Sequence, residues 1–219
     1  MGLVQHASNT VTSGSSISAT FGSNTTSGNT IVVCVSNESS RTVSSVALTG
    51  SSDTFAKAVS AGTTDECEIW YDSSNSGGHT VVTVTFSSTV TAAQVDVYEW
   101  NGISPSTPVD KTHTGTGTSS SWSSGATATL SQAAEVAFAV VCCAGASITI
   151  TGPSSPWTNE SQLVTTNDGQ LSGYQQVSAT TALTYSGSFS GTFPYTACIA
   201  TFKLGGATGS GAPLMMVFP

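Results

Sequence analysis

Residues 136–143 read VAFAVVCC, an apolar run with no polar residue to mark an outward face. Ile31–Val35 (IVVCV) is a second run of the same kind. Strands that turn one face to water alternate apolar and polar residues, as Thr80–Phe86 (TVVTVTF) does in part. Runs without alternation predict central strands buried on both faces, or strands whose outer face is covered by a loop or a partner.

Short apolar or alternating runs recur along the whole chain, and no window of a dozen residues carries helical periodicity. Candidate strands cover 16–21, 30–36, 43–48, 66–71, 80–86 and 94–100. A Pro-bearing turn at Ser104–Pro108 follows, and then 109–114, 126–130, 135–144, 147–151, 161–166, 172–178, 181–186 and 196–204. Gly, Asn, Ser and Pro punctuate most of the gaps, as turns require. Thr112–Gly125 is too polar for a core and reads as a loop or edge hairpin with Trp122 turned inward. The expected fold is all-β: an antiparallel β-sandwich, jelly-roll-like, forming one large domain over 1–204. Residues 205–219 (GGATGSGAPLMMVFP) follow as an extended C-terminal arm.

Composition narrows the function classes. Charged residues are 7% of the 219, against about 25% in ordinary globular proteins. The four cations are Arg41, Lys57, Lys111 and Lys203, and the net charge is −8. Such a chain lacks the clustered cations that phosphate backbones and anionic membrane surfaces demand. Serine and threonine make up about a third of the residues, so hydroxyls do the solubilising work of charges. No apolar stretch is long enough to span a bilayer. The opening MGLVQHASNT has neither a basic nor an apolar leader segment, which leads us to expect synthesis in the cytoplasm without a signal peptide. The five cysteines (Cys34, Cys67, Cys142, Cys143, Cys198) are read as reduced, buried thiols, with a Cys142–Cys143 disulfide or a metal site as the alternative.

Candidate chemistry is sparse. His6, His79 and His113 lie in no nucleophile motif and read as solvated surface residues, so no catalytic residue is assigned. The acidic run Asp65, Glu66, Glu68, Asp72 lacks a calcium-loop pattern and reads as a solvated edge. No metal or other cofactor is expected. Trp122 (SSWSS) and Trp157 (SPWTN) stand in loop-like surroundings, where they are either buried anchors or stacking platforms for a glycan. The arm divides into a tether, Gly205–Ala212, and an apolar tip. Its residues Pro213, Leu214, Met215, Met216, Val217 and Phe218 are the candidate partner-docking site, because exposed apolar surface of this kind calls for a partner.

Several segments share a cadence: Asn29–Ser36 (NTIVVCVS), Ile69–Tyr71 (IWY), Gly77–Gly78 before Thr80–Phe86, Glu99–Gly102 (EWNG), Pro108–Asp110 (PVD) and Phe202–Lys203. The pattern resembles a β-sandwich domain of phage structural and bacterial surface proteins, over about residues 3–204. In that family the motifs are turn and packing signatures and carry no catalytic residues. Trp100–Asn101 replaces the family's Tyr-Ser, and Ser51–Phe55 (SSDTF) replaces its Gly-Asn turn. The resemblance implies a non-enzymatic virion protein, a capsid decoration (cement) or accessory subunit. It would be a homo-oligomer or bind other virion subunits through its arm. The alternative is a carbohydrate-binding receptor-recognition module or an adhesin on a bacterial cell surface.

Overall fold

Both non-alternating runs are central strands. The computed structural model describes residues 1–39, 41–62, 65–145 and 147–205, and every element in them is a β-strand. Strand β3 (Thr30–Asn37) is buried at all its positions, and β10 (Glu135–Ala144) at all but the last. The arm's docking residues, Pro213–Phe218, lie outside the described residues.

The first half of the chain supplies β1 (Gly2–Val11), β2 (Gly14–Thr20), β3, β4 (Val43–Leu48), β5 (Ala56–Ala61), β6 (Glu66–Asp72), β7 (Val81–Val90) and β8 (Ala93–Asn101). They form two antiparallel sheets, ordered β1-β8-β3-β6-β5 and β2-β7-β4. Ile31, Val33 and Val35 of β3, with Val95 and Val97 of β8, pack onto Ile17, Val46, Val82, Val84 and Phe86 of the smaller sheet. Pairing first with last, and third with sixth, gives the strand order of a jelly roll.

The second half repeats it. Strands β9 (Val109–Ala126), β10, β11 (Ile150–Thr151), β12 (Thr158–Asn159), β13 (Leu163–Val164), β14 (Asp168–Val177) and β15 (Thr184–Lys203) make one continuous sheet. Its core order β9-β15-β10-β14 matches β1-β8-β3-β6. Strands β9 and β15 are long enough to serve both layers. The early part of β15 pairs with the late part of β9 (Ser186↔Ser123) and with β11 (Ile150↔Phe189), which reproduces β2-β7-β4. A register break between Ser188 and Phe193 carries β15 from one layer to the other.

Side-chain detail supports the repeat. In the first half, Gln5 on β1 accepts hydrogen bonds from Ser23 N (3.2 Å) and Ser23 Oγ (3.0 Å) in the loop before β3. In the second, Asp110 on β9 accepts from Ser131 N (2.7 Å) and Ser131 Oγ (2.6 Å) in the loop before β10. The body over 1–204 is therefore two sandwiches of one topology rather than one large one.

The two pack face to face. The second face of the β1-β8-β3-β6 sheet (Val32, Cys34, Ile69, Tyr98, Trp100) meets Val136, Phe138, Val140, Cys198 and Phe202 of β10 and β15. The far side of β10 (Ala137, Ala139, Val141, Cys143) is covered by Trp122, Ile150, Tyr185 and Phe189. Each of the two large sheets is thus buried on both sides, which is why β3 and β10 need no polar face.

Candidate functional site at the seam

Along β8 the residues facing the second jelly roll are Gln94, Asp96, Tyr98 and Trp100, and along β14 those facing the first are Asp168, Gln170, Ser172 and Tyr174. Both rows run from polar to aromatic at strand period. The seam therefore has an aromatic end, where Trp100 meets Phe138 and Tyr174 edge-on at 5.4 and 5.1 Å, and a polar end.

The polar end is a connected network. Asp96 Oδ2 accepts from Gln170 Nε2 (2.8 Å) and Ser172 Oγ (2.7 Å), and Ser172 Oγ is 2.6 Å from the Tyr98 hydroxyl. Asp96 Oδ1 lies 2.8 Å from His6 Nε2, whose Nδ1 is 3.4 Å from Glu160 Oε2 in the second jelly roll. Burial alone lowers the His6 pKa, but the Asp96 hydrogen bond and the charges of Asp96 and Glu160 outweigh it and leave it raised.

Beside this network lies a pair of buried acids. Asp65, in the turn before β6, accepts from Ala144 N at 3.1 Å, while its Oδ1 has no partner. Asp168 is fully buried; it faces the Gln94 amide without a well-formed bond, and both its oxygens stay unpartnered. Burial, reinforced by Asp65 and Glu38, pushes Asp168 up to about 8; burial and Glu38 push Asp65 up to about 6 against the Ala144 N–H. Two small clefts open here. One, about 240 Å³, is lined by Glu38, Thr91 and Asn167 among others, and the other, about 220 Å³, by Asp65, Thr116, Thr118 and Tyr195.

This arrangement can hold and exchange protons. Ser172 bonds to the carboxylate rather than to the imidazole and is sealed from solvent, so the set does not form an activated nucleophile. Among the described residues no group of three or more His, Cys, Asp or Glu is placed to hold a metal ion.

Other expectations meet the structure differently. His6 is not a solvated histidine, since 22% of its side chain is exposed and two carboxylates flank it. His113 Nδ1 is tied to Ser124 O at 2.7 Å. The acidic run is not a solvated edge either: Asp65, Glu66, Glu68 and Asp72 are all buried. Glu68 is held by Lys57 Nζ (2.7 Å), Trp70 Nε1 (2.6 Å) and Val43 N (2.7 Å), so it closes the first sandwich from inside. Of the two readings of Thr112–Gly125, loop or edge hairpin, the edge reading holds: the segment is part of β9, paired antiparallel to β15. Trp122 turns inward and is 2% exposed, against Tyr185 at 4.9 Å. A Cβ on Gly187 would stand 2.6 Å from its ring. It offers no face to a sugar. Trp157 is half-buried with its ring 4.7 Å from Tyr185, so part of it reaches solvent. All five cysteines are free and buried.

Strand order and seam together define the class: a tandem double jelly roll whose halves are joined by a buried polar network. Compared with known proteins, the chain matches no family model, no curated protein and no solved structure.

Proposed function

We propose that the chain is a non-enzymatic structural protein of a phage virion, a capsid decoration or accessory subunit that attaches through its apolar C-terminal arm. The observation that carries this reading is where the charges go. Eight of the twelve carboxylates (Asp65, Glu66, Glu68, Asp72, Asp96, Glu99, Glu135, Asp168) are buried, so the outer surface carries far less charge than even the sequence suggests. A hydroxyl-covered, charge-poor surface repels its neighbours weakly and suits close packing in an assembly. Asp65, Asp96 and Asp168 stand at the seam, while Glu68 and Glu99 are bonded within the first sandwich. Jelly rolls are common in capsid and lectin domains, and together with the family resemblance this supports the reading by analogy. Full burial of one apolar side chain contributes roughly 1.5–3 kcal/mol, so several in the 213–218 tip would hold an arm to a neighbouring virion subunit.

The test is removal of residues 206–219. The shortened protein is expected to keep its thermal transition and to lose co-sedimentation with particles purified from the same source. Undiminished co-sedimentation would overturn the proposal. The partial exposure of Trp157 keeps a second reading open, a glycan-binding module. That reading requires Trp157→Ala to lose retention on host polysaccharide while particle binding persists.

A further inference from the structure

We infer that the seam between the two jelly rolls is a proton-operated latch, held shut by protons on His6, Asp65 and Asp168 and loosened when those protons leave. His6 stands on the first jelly roll between Asp96 of its own half and Glu160 of the other, at 2.8 and 3.4 Å. A neutral ring keeps only the Asp96 hydrogen bond; the imidazolium adds the positive charge that draws the Glu160 carboxylate at 3.4 Å. The connection from β1 to the second jelly roll therefore exists in full only while His6 is protonated. The groups around His6 are Asp96 and Tyr98 of β8 and Glu160 between β12 and β13. Gln170 and Ser172 of β14 stand behind Asp96.

The acid pair works in the same sense. Asp65 belongs to the first jelly roll and Asp168 to the second. Among the described residues neither is paired to a lysine or arginine. Their surroundings are Glu38, Gln94, and the thiols of Cys67, Cys142 and Cys143. Two buried carboxylates on opposite sides of an interface, neither with a cation, repel through the low-dielectric seam once both ionise. The two clefts lined by Asp65 and Glu38 give water a path to this end of the seam, so protons can leave without global unfolding.

All three groups have raised pKa values in the packed state. A raised value means that stability is complete below the group's ordinary pKa and is lost as pH rises through the folded one. The seam should loosen between mildly acidic and mildly alkaline pH.

Four thiols report on it directly. Cys34, Cys67, Cys142 and Cys198 lie in the seam, whereas Cys143 faces the interior of the second sandwich. The full chain is alkylated with iodoacetamide at pH 5.5 and 8.5, each site's rate is read by peptide mass spectrometry, and rates are normalised to glutathione in the same mixture. Normalised labelling of the seam thiols is expected to rise at least about tenfold at the higher pH, with Cys143 lagging. Asp168→Asn, isosteric with the protonated acid, should abolish most of the rise, and so should Asp65→Asn if the first variant folds poorly. Equal rates at the two pH values, an undiminished rise in both variants, or Cys143 labelling in step with the others would each overturn the latch.

Discussion

Asp96 of the first jelly roll and Ser172 of the second meet at 2.7 Å, both sealed from solvent. A buried carboxylate with three donors aimed at it, two of them from the opposing half, fixes how the halves dock. Asp96→Asn places an amide N–H against at least one of those donors. We expect a loss of about 2–4 kcal/mol by urea denaturation, and a smaller one, about 1–2 kcal/mol, for Ser172→Ala.

Trp122 is a core residue, and its removal should behave as one. Trp122→Ala is expected to cost about 3–5 kcal/mol in the same measurement. Trp157→Ala, at a half-buried site, should cost clearly less.

Gly187 is paired opposite Trp122 and packs against that ring. A Cβ there would run into Thr151 O, a backbone atom that cannot swing aside. Gly187→Ala should therefore destabilise by about 1–3 kcal/mol, the range of an overpacked core. Gly22, whose added Cβ meets nothing, is the matched control with little expected change.

The pH optimum of stability should lie on the acid side of neutrality. Asp110 is lowered to about 2: against the burial that raises it, the Ser131 hydroxyl and N–H and the Lys111 ammonium hold it down. Its contribution is present above the ordinary 3.8 and disappears as pH falls towards 2. Asp65 and Asp168 act oppositely, and their contribution fades as pH rises through about 6 and about 8. Thermal scans should find the highest Tm near pH 4–5, declining towards pH 8.5. A Tm that climbs from pH 5 to 8 would contradict these assignments.

The doubly buried strands were legible because a continuous apolar run has one simple reading. IVVCV and VAFAVVCC became β3 and β10, each buried on both faces. The duplication was harder to see because its halves share packing rather than letters. The only likeness in letters that we note is a weak one, TGSSDTF at Thr49–Phe55 and TGPSSPW at Thr151–Trp157, 102 residues further on. Strand β9 was legible only at its start, 109–114, because its later Thr/Ser/Gly content reads equally as loop or edge hairpin; an exposed edge tolerates it when the partner strand supplies the apolar face. The seam could not be read locally. His6, Asp65, Asp96 and Asp168 each look like solvated polar residues until a second sandwich is laid over them.

Differential scanning calorimetry on residues 1–205 at pH 5 tests most directly whether the two jelly rolls form one locked body. The account predicts a single transition whose calorimetric and van't Hoff enthalpies agree, and which Asp96→Asn lowers as a whole or splits in two. Two independent transitions in the unaltered protein, or an Asp96→Asn trace superimposable on it, would contradict the account.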